Sequence, residues 1–158
     1  MSSAFGLLLT FGIGFVAGLR SMTAPAVVAW AAHLGWINLS GTPLAFMGSA
    51  WAVALFTLGA LGEYVADKFP NTPARTAAIG LGARVVMGLL CGACVGVAAG
   101  MSLWIGAIVG AIGAVAGTFG GYQARVGLVR GLQVKDIAVA IPEDLVAIGL
   151  GLLLVSRF

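Results

Sequence analysis

From Ser21 to Gly62 the chain carries no Asp, Glu, Lys or Arg, and from Thr76 to Ala124 it carries one, Arg84. Stretches this long and this poor in charge fit one solvent, the hydrocarbon of a bilayer, which about 20 apolar residues in a helix can cross. The composition agrees. Residues are 61% hydrophobic and 8% charged, with a mean hydropathy of +1.11, whereas ordinary soluble domains are about half apolar and a quarter charged. The chain therefore reads as an all-α integral membrane protein. Residues 1–158 form a single polytopic domain, with no linker, charge run or low-complexity segment to divide it.

The few charges then become the informative residues. Several fall inside or beside apolar runs: Arg20, Glu63, Asp67, Arg84, Glu143 and Asp144. An ionised group in hydrocarbon costs roughly 2.5–3.5 kcal/mol on insertion scales. Each of these side chains must pair, line a wet cavity or sit at headgroup level. They are the candidate substrate- or ion-binding residues.

Spanning segments are expected at 43–65, 77–99, 103–122 and 137–156, with Gly100-Met-Ser102 as the break between the middle two. The first 35 residues are too long for one crossing, at about 50 Å of helix. Gly18-Leu-Arg-Ser-Met-Thr-Ala-Pro25 offers a break: Ser21 and Thr23 are N-cap types and Pro25 suits a first helical turn. Two pieces, 4–19 and 24–36, follow. They either form a short hairpin or make one crossing with an unwound elbow, giving six crossings or five. Loops at 66–76 and 123–136 hold Lys68, Arg75, Arg125, Arg130 and Lys135. Two spans separate these loops, so both face the cytoplasm by the positive-inside rule, which sends the C-terminus outside. With no basic region before it, the first apolar run reads as mature structure.

Gly80, Gly88, Gly92, Gly96 and Gly100 recur at multiples of four, with Arg84 filling the gap, and Gly106, Gly110, Gly113, Gly117 and Gly121 continue the pattern in the next span. Such spacing permits close helix packing, within one chain or between copies, so a homo-oligomer is expected. G-F-V-A-G at 14–18 and G-A-V-A-G at 113–117 are alike, each is followed by an arginine, and an internal repeat is one reading of them.

Three constellations could carry chemistry. Glu63 and Asp67 are four apart and share a helical face, in a helix expected to end near Phe69, before Pro70, with Thr72 capping the next. Pro142-Glu143-Asp144 looks like the opening of a helix, where acids meet the positive dipole end. Adjacent carboxylates in low dielectric cannot both ionise cheaply, which suits a cation or proton site. Arg20, at the break, offers a fixed fork of donors to a carboxylate or an anionic solute. For each constellation the alternative is an internal ion pair or a capped helix end, with Arg84, Arg125 or Arg20 as the partner of Glu143 and Asp144.

Other chemistry lacks its residues. Cys91 and Cys94 stand in an apolar segment beside one histidine in the whole chain and read as packing cysteines. His33 and the four tryptophans read as interfacial. Catalytic sets, phosphate loops and cofactor motifs are missing, so no catalytic residue, metal or cofactor is expected and the chain does not read as an enzyme. The spread of the cations gives no nucleic-acid signal.

The segments GLRSMTAP (18–25), EYVADKFPNTPART (63–76) and AIPEDLVAIGLG (140–151), in that order, resemble the bacterial membrane-protein family known as domain of unknown function 4126. The resemblance covers nearly the whole chain. It implies a small polytopic inner-membrane protein and marks Arg20, Pro25, Glu63, Asp67, Lys68, Pro70, Glu143 and Asp144 as the family-like positions. Residues 71–76 read Asn-Thr-Pro-Ala-Arg-Thr where the resemblance implies, for some relatives, another acidic stretch, so function does not carry over uniformly. No activity follows from the resemblance.

The leading expectation is a small transporter or channel for an ion or small polar solute, in contact with the lipid bilayer. The runner-up is a non-transporting scaffold or accessory subunit whose charges are staples. A lipid-modifying enzyme is a distant third.

Overall fold

The computed structural model describes residues 2–67, 77–133 and 135–158. Among them are six α-helices and no strand: α1 (Ser3–Leu19), α2 (Thr23–His33), α3 (Ala50–Ala66), α4 (Ala78–Ala98), α5 (Leu103–Leu132) and α6 (Asp136–Val155). A single 3₁₀ turn, Ala45–Gly48, leads into α3. Three helices are long and apolar enough to cross a membrane: α4, α5 and the part of α6 from Ala138 to Val155.

α1 is the central helix. Its buried residues include Leu9, Ile13, Val16 and Ala17, and it packs on α4, α5, α6 and α2. Glycine governs its approach to α5 and that of α5 to α4. A Cβ on Gly14 would overlap the carbonyl oxygen of Gly110, and one on Gly110 would overlap that of Gly88. A Cβ on Gly96 would stand 2.7 Å from Gly106 Cα. Only hydrogen fits there, so backbone lies on backbone. The two similar pentapeptides meet in this seam, since Gly18 faces Gly117 and Thr118 while Gly113 faces Phe11 and Phe15.

Helix ends follow local chemistry. Ser2 and Ser49 accept from Phe5 N and Ala52 N and start α1 and α3. Gly100, at φ +78°, closes α4. Met101 N donates to Gly96 O and Gly100 N to Val97 O, the paired bonds of a Schellman ending. At Arg20 the backbone turns extended (φ −141°, ψ 114°), so α1 stops there. α2 then runs back against α3: Thr23 meets Tyr64, Trp30 meets Thr57 and His33 meets Gly48. α2 therefore folds back beside α1 and does not continue it as a single interrupted rod.

Several local expectations are corrected. The segment expected as a loop from 123 continues as α5 to Leu132, because nothing between Tyr122 and Leu132 breaks a helix. Gln133 ends it at φ 53°. Pro142 does not open α6. It lies inside the helix, seven residues beyond the Lys135 cap, and withholds one N–H from Ala138 O. The cap of α2 is Met22, not Ser21 or Thr23, and no side chain of its own caps it. The expected span 43–65 divides at Ser49 into the 3₁₀ turn and α3. The expectations for Lys68, Phe69, Pro70, Thr72 and Arg75 lie outside the described residues.

Candidate functional site

All six residues singled out in the sequence come together, at the end of the bundle where α1 breaks. Arg20 is the centre, 1% exposed. Its Nη1 lies 2.9 Å from Asp67 Oδ2 and its Nη2 beside Asp144 Oδ1. Tyr64 places its ring 5.7 Å from the guanidinium carbon. Tyr64 itself is held by a 2.6 Å hydrogen bond between its hydroxyl and that of Thr23. Nη1 of Arg20 and Oδ1 of Asp144 make no aligned hydrogen bond among the described residues, and neither does Arg20 Nε. A buried donor is left over at Nε.

Glu63 does something different. One carboxylate oxygen accepts from Ser21 N at 2.9 Å and Ser21 Oγ at 3.0 Å, and the other from Met22 N at 2.9 Å. A carboxylate from α3 thereby caps α2, where the dipole and unpaired N–H groups favour negative charge. This explains why α2 needs no cap of its own. Arg84 approaches the same carboxylate with Nη2 at 3.8 Å, while its Nη1 donates to Gly80 O at 3.1 Å.

The neighbours Glu143 and Asp144 do not form one shared site. Successive helical side chains diverge, so Asp144 turns to Arg20 and Glu143 to Arg125, whose Nη1 lies 3.4 Å from Glu143 Oε2. The same Nη1 donates to Asp67 Oδ2 at 2.9 Å. Arg125 thus completes a chain of contacts, Glu143–Arg125–Asp67–Arg20–Asp144, with Glu63–Arg84 beside it. The sequence puts Arg125 in a basic loop and also offers it as an ion-pair partner of the late acids, but not as the link to Asp67. Its signal was the spacing: Gly113, Gly117, Gly121 and Arg125 step by four, as Gly80, Arg84 and Gly88 do in α4. Ser21, Met22, Thr23 and Tyr64 were missed because backbone donors and small hydroxyls leave no pattern.

The network is not sealed. A cleft of about 430 Å³ between α3 and α4 is lined by Ser21, Glu63, Asp67, Gly80 and Arg84. A second, of about 480 Å³, runs between α1, α5 and α6 and touches Arg125 and Glu143. Cys91 and Cys94 are buried in α4 and not bonded to each other. Among the described residues no group of three His, Cys, Asp or Glu is placed to hold a metal.

A family model described as domain of unknown function (DUF4126) matches residues 7–156. The chain belongs to this family. No curated protein and no solved structure matches the chain. Every member of the charge network, from Arg20 to Asp144, lies within the DUF4126 match.

Proposed function

We propose that this DUF4126 protein is a small membrane transporter or channel for an ion or small polar solute. Its path passes Arg20, Glu63, Asp67, Arg84, Glu143 and Asp144, with Arg125 added. The observation that carries the reading is the convergence of seven ionisable side chains at a helix break, with a cleft reaching Glu63, Asp67 and Arg84. A purely structural staple gains little from such groups, because buried ion pairs are often matched or bettered by apolar packing of equal volume. The Arg20 donor without an aligned acceptor points the same way. Broken helices that end at a charged site are also a common way to build a transport path.

The setting belongs to the same reading. The protein is integral to a bacterial inner membrane, with α1 and α3–α6 crossing and α2, about 16 Å long, reaching partway. The end bearing Arg125, Arg130 and Lys135 faces the cytoplasm, and the ends of α1 and α6 away from it face outside. Trp51 and Trp104, both strongly exposed near the outer end, suit a headgroup belt. The glycine seam is used within the chain, so a homo-oligomer would dock through the exposed apolar faces instead.

A second reading keeps one specific observation: every charge in the network touches an opposite charge. In that reading the protein is a non-transporting scaffold. The test is current from purified protein in liposomes on a solid-supported membrane, across protons, Na⁺, K⁺ and common anions. Wild type would carry current, and Glu143→Gln and Glu63→Gln would lose it while remaining folded. Silence from wild type under every gradient would sink the transport reading and leave the scaffold.

A further inference from the structure

α2 is too short to cross a bilayer. From Thr23 to His33 it rises about 16 Å, roughly half of a ~30 Å hydrocarbon core, and residues 34–49 continue without a full helix. This segment is a compact loop whose ends meet. His33 Nδ1 donates to Gly48 O at 2.9 Å, and a Cβ on Gly48 would stand 3.6 Å from that of Ala32. Ile37, Leu39, Leu44 and Met47 are buried, while Trp36 and Phe46 are exposed. Between Asn38 and Met47 the hydrogen bonds among the described residues stay inside the loop. Thr42 N and Thr42 Oγ1 donate to Leu39 O, Ser40 N to Asn38 Oδ1, and Leu44 N to Thr42 Oγ1. Non-helical backbone at membrane depth needs burial or a wet cavity, and a pocket of about 490 Å³ lies here with Asn38, Ser40 and Ser49 in its wall.

We propose that residues 34–49 are a lid at the outer end of the transport path, closed in this structure and lifting to let solute pass. The inference rests on the transport reading and adds a second control to it, at the end of α2 opposite the charge network. A compact loop with close ends, packed by its own side chains, is a unit that moves as one body. Gly35, at φ +77° and with nothing within 4 Å of a Cβ, is the hinge where the loop leaves α2. Beyond Ile37 the hydrogen bond that joins the loop to a helix, among the described residues, is the one from His33. Lifting therefore breaks that bond and uncovers four apolar side chains, a small local opening. The α1–α4–α5 seam has no such freedom, because carbonyl oxygens fill the space a Cβ would need. The opposing reading is a fixed plug, which shares the packing and never opens.

The experiment locks the ends of the loop together. Ala32→Cys with Gly48→Cys places two Cβ atoms at a spacing that suits a disulfide, about 3.5–4.5 Å. The full chain is reconstituted in liposomes and its current is read before and after oxidation, with mass spectrometry to confirm the bond. Oxidation should cut the current by roughly tenfold or more. Reduction should restore it, and each single variant should behave as wild type under both conditions. A second reading is independent of flux. Met47→Cys, buried under the closed lid, should be labelled by a membrane-impermeant maleimide added outside, against a wild-type baseline in which Cys91 and Cys94 are buried. A current untouched by the disulfide overturns the lid, as does a disulfide that never forms or a Met47→Cys that stays unlabelled. Silence from wild type under every gradient overturns the transport reading and the lid with it, an outcome distinct from a conducting protein that the disulfide cannot close.

Discussion

Where α1, α4 and α5 meet, backbone touches backbone; where α3 joins the rest, charged side chains make much of the connection. α1 buries nine residues, and Gly14 and Gly18 of α1, Gly88, Gly92 and Gly96 of α4, and Gly106, Gly110, Gly113 and Gly117 of α5 leave no room for a Cβ. α3 buries only Ala52, Val53, Phe56 and Ala60, and packs chiefly on α2. Among the described residues its further ties include Glu63 to Ser21, Met22 and Arg84, Tyr64 to Arg20, and Asp67 to Arg20 and Arg125. The first region has one arrangement, because a close-packed seam shifts only at the cost of overlap. The second is joined by contacts that can exchange partners at similar distances. On packing alone, α3 is expected to shift more readily than the α1–α4–α5 frame.

Substitutions can break this comparison, and their expected sizes differ. Gly110→Val should be the most damaging. Overpacking costs roughly 1–3 kcal/mol where neighbours can give, and here the obstacle is the Gly88 carbonyl, so a loss above about 3 kcal/mol or no folded yield is expected. Thermal unfolding in detergent reads this directly, and a variant as stable as wild type would show that the seam is not rigid. Arg20→Gln comes next, at roughly 3 kcal/mol, because Asp67 and Asp144 lose a buried counter-charge. If its melting temperature barely moves, the network is not holding the mobile half in place. Glu63→Gln keeps the shape but makes charge-assisted hydrogen bonds neutral. We expect a loss of roughly 1–2 kcal/mol and faster hydrogen exchange at the start of α2, with α1 unchanged. Exchange rising equally in both helices would erase the distinction between the two regions. Smallest is Gly149→Ala in α6, where nothing lies within 4 Å of the new Cβ. Helix propensity predicts a gain of up to about 1 kcal/mol, opposite in sign to the seam glycines.

What could be foreseen in the sequence divides along the same line. Arg20, Glu63, Asp67, Arg84, Glu143 and Asp144 stand out because a charge in an apolar stretch has few inexpensive explanations, and the structure brings all six together. The breaks at Arg20 and Gly100 were legible because they are marked by local chemistry. Arg125 is legible as a partner for the late acids but not as the link to Asp67, because a basic residue near a span end looks like a topology signal until α5 is seen to run to Leu132. Pro142 misled in the same way, since proline suits a helix start as well as a kink. The capping of α2 by Glu63 depends on a partner 42 residues away, which no local pattern encodes.

That separation along the chain has a consequence for assembly. As the protein is made, α1, α2 and α3 emerge first and already contain Arg20, Glu63, Asp67 and the amides of Ser21 and Met22. The earliest hairpins can enter the bilayer with much of their charge already matched. Arg125 follows Asp67 by 58 residues, and Thr118 reaches Gly18 across 100. Asp144, on α6, reaches the second side of Arg20 only after α4 and α5 have been made. The central arginine thus precedes every other charge of the network and is among the last to have its surroundings completed.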